Sequence, residues 1–150
     1  MDGFKFVEGP IEIDDYMRLR EAAGWQTLDY ETAEAALRNS LYSVSAATQT
    51  EVVGCGRVVG DGAAYFYIQD VMVLPEFREM GLANGIMERI MGYLNAEAKP
   101  GAFVGLMSAQ GLSGFYVRYG FSERAPDAPG MVRSWQGPDA GWPFSGRGKP

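Results

Sequence analysis

Residues 70–83 read DVMVLPEFREMGLA, and this stretch is the most informative part of the sequence about the fold. An aromatic and β-branched run over residues 64–73 stops just before Pro75, which predicts a buried strand. Apolar side chains then recur at helical steps over residues 79–98, which predicts a helix that buries one face. The stretch is therefore the turn between a core strand and a long helix.

The start of that helix has the properties of an anion site. The first turn of a helix presents unpaired backbone N–H groups at the positive end of the helix dipole. Gly81 and Ala83 are small, so a diphosphate can approach the main chain, and Arg78 adds a charge-assisted donor. The spacing is neither that of a P-loop nor that of a Gly-x-Gly-x-x-Gly dinucleotide site. A tight turn that needs glycine for its backbone alone is the alternative interpretation.

The rest of the chain predicts one α/β (α+β) domain over residues 1–136 with a Gly- and Pro-rich tail over residues 137–150. Further strands are predicted at Phe4–Val7, Leu41–Ala47, Glu51–Val59, Ala102–Ser108, Phe121–Arg124 and Met131–Gln136, and further helices at Asp14–Ala23 (capped by Asp14 or Asp15), Tyr30–Asn39 and Leu112–Tyr119. The middle strands are expected to be antiparallel. The strand-helix-strand unit over residues 64–108 predicts that its two strands are parallel neighbours.

Composition excludes several classes of function. The chain of 150 residues has 13 Lys and Arg against 19 Asp and Glu, a net charge of −6, which disfavours nucleic acids and anionic membranes as partners. It has no histidine, which excludes a Ser-His-Asp triad and histidine metal sites; we predict no metal. The lone cysteine, Cys55, predicts a small buried residue in a reducing cytoplasm. No apolar run or signal-peptide pattern indicates a membrane or export.

Two segments resemble motifs of the GNAT superfamily of N-acetyltransferases. Residues 71–77, followed by Arg78-x-x-Gly81-x-Ala83, are similar to the acetyl-CoA-binding motif Q/R-x-x-G-x-G/A. Residues 114–121, GFYVRYGF, are similar to the motif F-Y-x-x-x-G-F. The order of the predicted elements fits the same superfamily.

The resemblance implies a mixed, mostly antiparallel sheet flanked by about four helices, with a central parallel strand pair that splays to admit coenzyme A. It implies that the main chain of Val71, Met72 and Val73 binds the acetyl carbonyl and the pantetheine arm. It also implies that the pyrophosphate lies on the turn and the first helical residues, namely Arg78, Glu79, Met80, Gly81, Leu82, Ala83 and Asn84. Tyr116 matches the tyrosine that protonates the thiolate; packing in the core is its alternative role.

The sequence departs from the family pattern in three places. Glu79 stands where glycine is frequent, which puts a carboxylate near the diphosphate. An asparagine often found before the Phe-Tyr segment is missing, and there is no histidine to act as a base. Asp70 is then the candidate base, with two alternatives: the solvent deprotonates the amine, or Asp70 is only a hydrogen-bond acceptor. Trp25, Tyr30 and Tyr67 are the candidate substrate-binding aromatics, although loop closure also accounts for Trp25.

We therefore expect an acetyl-CoA-dependent N-acetyltransferase that acts on a primary amine of a small molecule or peptide. A non-catalytic acyl-CoA sensor with the same fold is the alternative, and a nucleic-acid-linked regulator is disfavoured by charge. Trp142 and Phe144 in the tail suggest a homodimer. The acceptor amine is not specified by these residues.

Overall fold

The computed structural model describes residues 3–133 and 135. Within these residues the chain forms five strands and four α-helices. The strands are β1 (Lys5–Glu8), β2 (Tyr42–Ala47), β3 (Val52–Gly60), β4 (Tyr65–Val73) and β5 (Phe103–Leu106). The helices are α1 (Ile13–Ala22), α2 (Tyr30–Arg38), α3 (Leu82–Glu97) and α4 (Ser113–Val117), with a 3₁₀ turn at Pro75–Phe77.

The chain divides into two compact units, and the sheet belongs to the larger. The larger unit comprises Met1–Ala23 and Thr27–Met107 and holds every strand together with α1, α2 and α3. The smaller unit comprises Gly24–Gln26 and Ser108–Pro150 and holds α4. The predicted division into residues 1–136 and a tail stays a prediction, since residues 136–150 lie outside the part of the chain that the structure describes.

The sheet has the order β1-β2-β3-β4-β5. Each neighbouring pair is antiparallel except β4 and β5, which run parallel. The connection between these two strands contains α3, as parallel pairing requires, because a short hairpin cannot join parallel strands. The predicted mixed sheet with one parallel pair is confirmed.

The helices of the larger unit cover both faces of the sheet. On one face, Ile86 and Ile90 of α3 approach β3 so closely that a Cβ at Gly56 would lie 2.7 and 3.0 Å from them. The next residue, Arg57, points to the opposite face, where its guanidinium donates to the carbonyl of Ala36 in α2 at 3.2 Å. Alternate residues of β3 thus serve two layers, as strand geometry dictates.

Several predicted boundaries are wrong. Helix α3 begins at Leu82 rather than at residue 79, because Glu79 and Gly81 have left-handed backbones with φ of 64° and 81°. Helix α1 is capped by Glu12, not by Asp14 or Asp15, and makes no side-chain capping bond.

Neither of the two last predicted strands is present in the described part of the chain. Residues 121–124 lead into a turn in which the amide of Ala128 donates to the carbonyl of Ala125, and the Arg124 guanidinium donates to the carbonyl of Ala128. Residues 131–133 and 135 are likewise not strand, while Ser134 and Gln136 lie outside the described residues. Without a neighbouring strand to pair with, β-branched and aromatic composition is not enough to form one.

Candidate active site

The parallel pairing of β4 covers only its first half. Tyr65 to Ile68 pair with Phe103 to Leu106, and there β5 ends. From Gln69 to Val73, β4 pairs with β3 alone within the larger unit. Backbone N–H and C=O groups on an unpaired strand edge are free to bind an extended ligand in the manner of an added strand. Within the larger unit, the second half of β4 therefore has an unpaired edge where the sequence predicts the gap.

A β-bulge lies where this open half begins. Arg57 is opposite Gln69 and Cys55 is opposite Met72, so that one residue of β3 faces two of β4, Asp70 and Val71. Asp70 takes the extra position with a left-handed φ of 62°. A bulge of this kind bends the strand and changes the direction of its main-chain groups.

The bulge reverses the alternation of side chains along β4. Before it, Phe66 faces α3, where its ring lies 6.4 Å from that of Tyr93. After it, Val71 faces α3, because its side chain and Ile86 both lie beside the missing Cβ of Gly56. The even-numbered residues face α3 before the bulge, and the odd-numbered ones do so after it. Asp70 is thereby moved to the face covered by α1.

Asp70 lies in a buried cluster on that face, and both of its carboxylate oxygens accept hydrogen bonds. Its Oδ2 accepts from the Tyr16 hydroxyl at 2.7 Å and from Arg57 Nε at 2.7 Å. Its Oδ1 accepts from Gln69 Nε2 at 3.1 Å and lies 3.8 Å from Arg20 NH1. The Asp70 side chain is 0% exposed, so an incoming amine has no direct route to this carboxylate. This geometry favours the role of hydrogen-bond acceptor over the predicted role of base.

Tyr16, Arg20 and Arg57 are the members of the cluster that sequence reasoning missed. Burial, and after it the charge of Asp70, raises the pKa of Tyr16 to about 12, so its hydroxyl remains a donor at neutral pH. Burial is the largest influence on Arg57 and lowers its pKa, but Asp70 and Tyr16 together outweigh it, and the pKa of Arg57 is raised. The sequence signal that could have indicated this cluster was a pair of opposite charges, each inside an otherwise apolar strand. Such charges are rarely buried unless they are paired.

Cys55 is on β3 beside the same bulge. Its Sγ donates to the carbonyl of Asp70 at 3.4 Å, and the side chain is buried. Burial raises the pKa of the thiol, which keeps it protonated and not nucleophilic. The role predicted for Cys55, that of a small buried residue, is what the structure shows.

The remaining predicted cofactor residues lie in the turn after β4 and at the start of α3. Arg78 is exposed, and its Nε donates to the carbonyl of Val73 at 3.2 Å, so the side chain lies over the end of the strand. Glu79 and Gly81 are exposed as well. Leu82, in contrast, is buried in the core at 1% exposure, so that only its main chain is available to a ligand.

Helix α3 follows with its first turn facing this loop. The carbonyl of Gly81 accepts from the amide of Gly85 at 3.0 Å, and this bond closes the first turn. The amides that precede Gly85 in the helix have no carbonyl acceptor within the helix itself. These are the amides of Leu82, Ala83 and Asn84, where the motif predicts the pyrophosphate. The positive end of the α3 dipole adds to their attraction for an anion.

The substrate candidates of the larger unit are Tyr30 and Tyr67. Tyr30, at the start of α2, is 54% exposed, and its hydroxyl donates to Asp14 Oδ1 at 2.7 Å. Tyr67 is half-buried on β4, and burial raises its pKa. The third candidate, Trp25, belongs to the smaller unit and is also half-buried. Their predicted substrate role stays a prediction.

In the smaller unit, the Phe-Tyr segment is a helix end. The amide of Phe121 donates to the carbonyl of Tyr116, the amide of Gly120 donates to that of Val117, and Gly120 has a φ of 92°. These two bonds form a Schellman motif, which explains why the pattern requires a glycine there. The ring of Tyr116 contacts those of Phe115 and Phe121, and burial raises its pKa. Tyr116 is therefore held in place as a neutral phenol.

Comparison with known proteins gives the class of protein that the two sequence motifs indicate. Residues 39–123 match a family model described as an acetyltransferase (GNAT) domain. Helix α3, the bulged strand and the Phe-Tyr segment all lie within that match. The chain belongs to the GNAT family of acetyltransferases.

Individual relatives agree with this family. The chain is 32% identical to a probable acetyltransferase from meticillin-resistant Staphylococcus aureus, with a TM-score of 0.83 over 88% of this chain and 99% of that structure. A GNAT family acetyltransferase from Streptococcus pneumoniae is 29% identical, with a TM-score of 0.75 over 89% of this chain and 99% of that structure.

A plant relative is longer than this chain. GCN5-related N-acetyltransferase 1, chloroplastic, from Arabidopsis thaliana is 30% identical over 81% of this chain, which spans 62% of the plant protein. In the part of the chain that the structure describes, no helix combines the length and the apolar character needed to cross a membrane.

Proposed function

We propose that this protein transfers the acetyl group of acetyl-CoA to a primary amine of a small molecule or peptide by direct attack of the amine. The observation that carries the proposal is the half of β4 from Gln69 to Val73, which lacks β5 as a partner and runs directly into an anion-binding turn. An extended pantetheine arm matches a strand edge, and a diphosphate matches the helix start that follows.

The main chain of β4 would bind the acyl end of the cofactor. Val71 and Val73 direct their side chains into the α3 face, where they lie against the glycines of β3. Their role toward a ligand at the strand edge is therefore confined to backbone groups. A backbone N–H near Val71 or Met72 would stabilise the charge that develops on the carbonyl oxygen when the amine attacks.

The first turn of α3 would hold the diphosphate. The amides from Leu82 to Asn84 supply the donors, and Arg78 supplies a positive charge once it leaves the carbonyl of Val73. Glu79 puts a carboxylate, which opposes an anion, among the residues of the predicted diphosphate motif. Its exposed position allows the carboxylate to remain in water, where screening weakens the repulsion.

Tyr116 would donate a proton to the departing thiolate as the carbon–sulfur bond breaks. The raised pKa keeps its phenol protonated at neutral pH, so the donor form is always present. The amine loses its proton to solvent in this proposal, because the buried Asp70 carboxylate already accepts from three donors.

The first test is binding and turnover of the wild-type chain. Titration calorimetry with acetyl-CoA should give heat, and a panel of amino sugars, polyamines, arylamines and peptides should release free CoA, which a thiol reagent detects. Binding without release by any amine would favour the sensor, and no binding would overturn the proposal.

The role of Tyr116 has a separate test. A Tyr116→Phe variant should lose about 10²–10⁴ in kcat, because the thiolate then leaves without a positioned acid, while the affinity for CoA is kept. Tyr119→Phe removes a hydroxyl from the same segment and is the matched control, with turnover near that of the wild type. Equal turnover in both variants would remove the acid role from Tyr116.

A further inference from the structure

We infer that Tyr16 and Arg57 are positioning residues that hold the Asp70 bulge, and with it the main chain of β4 that faces the acetyl group. This inference rests on the acetyl transfer proposed above. It assigns the buried cluster to the preorganisation of the site rather than to proton transfer.

The backbone of Asp70 needs an external constraint. A non-glycine residue with a φ of 62° is strained, and such a conformation persists only where its surroundings fix it. Here Tyr16 and Arg57 each donate to Oδ2 at 2.7 Å, and the side chain is 0% exposed. Charge-assisted donors at this distance hold the carboxylate in a single orientation.

The bulge determines which way the following residues of β4 face. The extra residue moves Val71 and Val73 onto the α3 face, and it follows Gln69, where β4 no longer pairs with β5. If the bulge were lost, the pairing would shift by one residue, and every later side chain and backbone group would change its direction. The edge proposed to bind the acetyl group therefore has its present shape only while the bulge is kept.

The cluster connects the bulge to α1 and α2. Tyr16 is fully buried in α1, and the NH1 atom of Arg57 donates to the carbonyl of Ala36 and to Ser40 Oγ at the end of α2. The bulge is thus fastened to both helices on its face of the sheet. A rigid support of this kind is what a backbone oxyanion donor needs, because its value depends on fixed geometry.

The experiment compares Tyr16→Phe with Tyr42→Phe. Both variants remove a hydroxyl that donates to a carboxylate, at 2.7 Å to Asp70 and at 2.6 Å to Glu8, but Tyr42 is on β2, away from the bulge. Three quantities are measured well below the melting temperature: the Kd for CoA, the Kd for acetyl-CoA, and kcat.

Tyr16→Phe should leave the Kd for CoA within about twofold, since the diphosphate site is intact. It should lower kcat by about tenfold or more, the cost expected for one charge-assisted bond. The ratio of the Kd values for CoA and acetyl-CoA should change in the same variant, because the acetyl group is the part of the ligand proposed to bind the main chain next to the bulge. Tyr42→Phe should leave all three quantities as in the wild type.

Arg57→Lys is the second variant, which serves if Tyr16→Phe does not fold. It keeps the charge but loses the planar fork, and it should change the Kd ratio and kcat in the same direction. The inference is overturned if both variants keep the wild-type ratio and kcat, or if Tyr42→Phe loses as much as they do. A wild-type chain that does not bind acetyl-CoA would instead overturn the proposed function.

Discussion

Asp70 and Glu79 have almost the same backbone conformation in opposite surroundings. Among the described residues they are the two non-glycine positions with positive φ, at 62° and 64°. Asp70 is buried and bonded to Tyr16 and Arg57, whereas Glu79 is exposed in the turn before α3. The first side chain fixes the strained backbone, and the second only tolerates it. The same positive φ is thus fixed by side-chain bonds at one site and lies at the solvent-exposed surface at the other.

The largest expected effect on stability is that of a substitution at Asp70. Asp70→Ala should lower the free energy of unfolding by about 3–5 kcal/mol, because the buried charge of Arg57 loses its carboxylate. Urea denaturation measures the change, with Glu79→Ala as the control, where we expect less than about 0.5 kcal/mol. Similar losses in the two variants would abolish the distinction between the sites.

A smaller effect is expected at Gly81, which shares the left-handed conformation with φ of 81°. Gly81→Ala should cost about 1–2 kcal/mol of stability and should weaken CoA binding, since a Cβ is disfavoured in this conformation. Gly92→Ala in the same helix is the control; nothing lies within 4 Å of its added Cβ, and it should stabilise the chain by about 0.5–1 kcal/mol. If both substitutions stabilise, the turn does not need its glycine.

The smallest effect is expected at Glu79. Glu79→Gly should raise stability by up to about 1 kcal/mol, because glycine adopts this φ without strain. It should also raise the affinity for CoA a few-fold at low salt, because a carboxylate near the diphosphate is removed. Glu79→Gln separates the two causes: affinity should rise and stability should not. An unchanged affinity in both variants would show that the carboxylate does not sense the diphosphate.

Much of this fold was predictable from the sequence. Residues 64–73 and 79–98 change from the periodicity of a strand to that of a helix, and Gly81 marks the turn between them. The bulge was not predictable. The apolar residues of β4 change from even to odd positions at the bulge, at Phe66 and Ile68 before it and at Val71 and Val73 after it. Met72 is apolar as well, so this change is not visible in the sequence.

The candidate site was predictable where it depends on local backbone. A motif can specify a helix start, or the helix end at Gly120, since both use glycine in one conformation. The cluster around Asp70 joins residues 54, 50 and 13 positions apart in the chain, and no local pattern indicates such contacts. The role of Asp70 therefore depended on structure.

The environment of Cys55 has a practical consequence. It is the chain's single cysteine, enclosed beside the bulge, so thiol-alkylating reagents should find no reactive thiol in the folded protein. A cysteine substituted at any exposed position would then be the sole target of a maleimide dye. Fluorescent labelling of this chain would need no prior removal of the native residue.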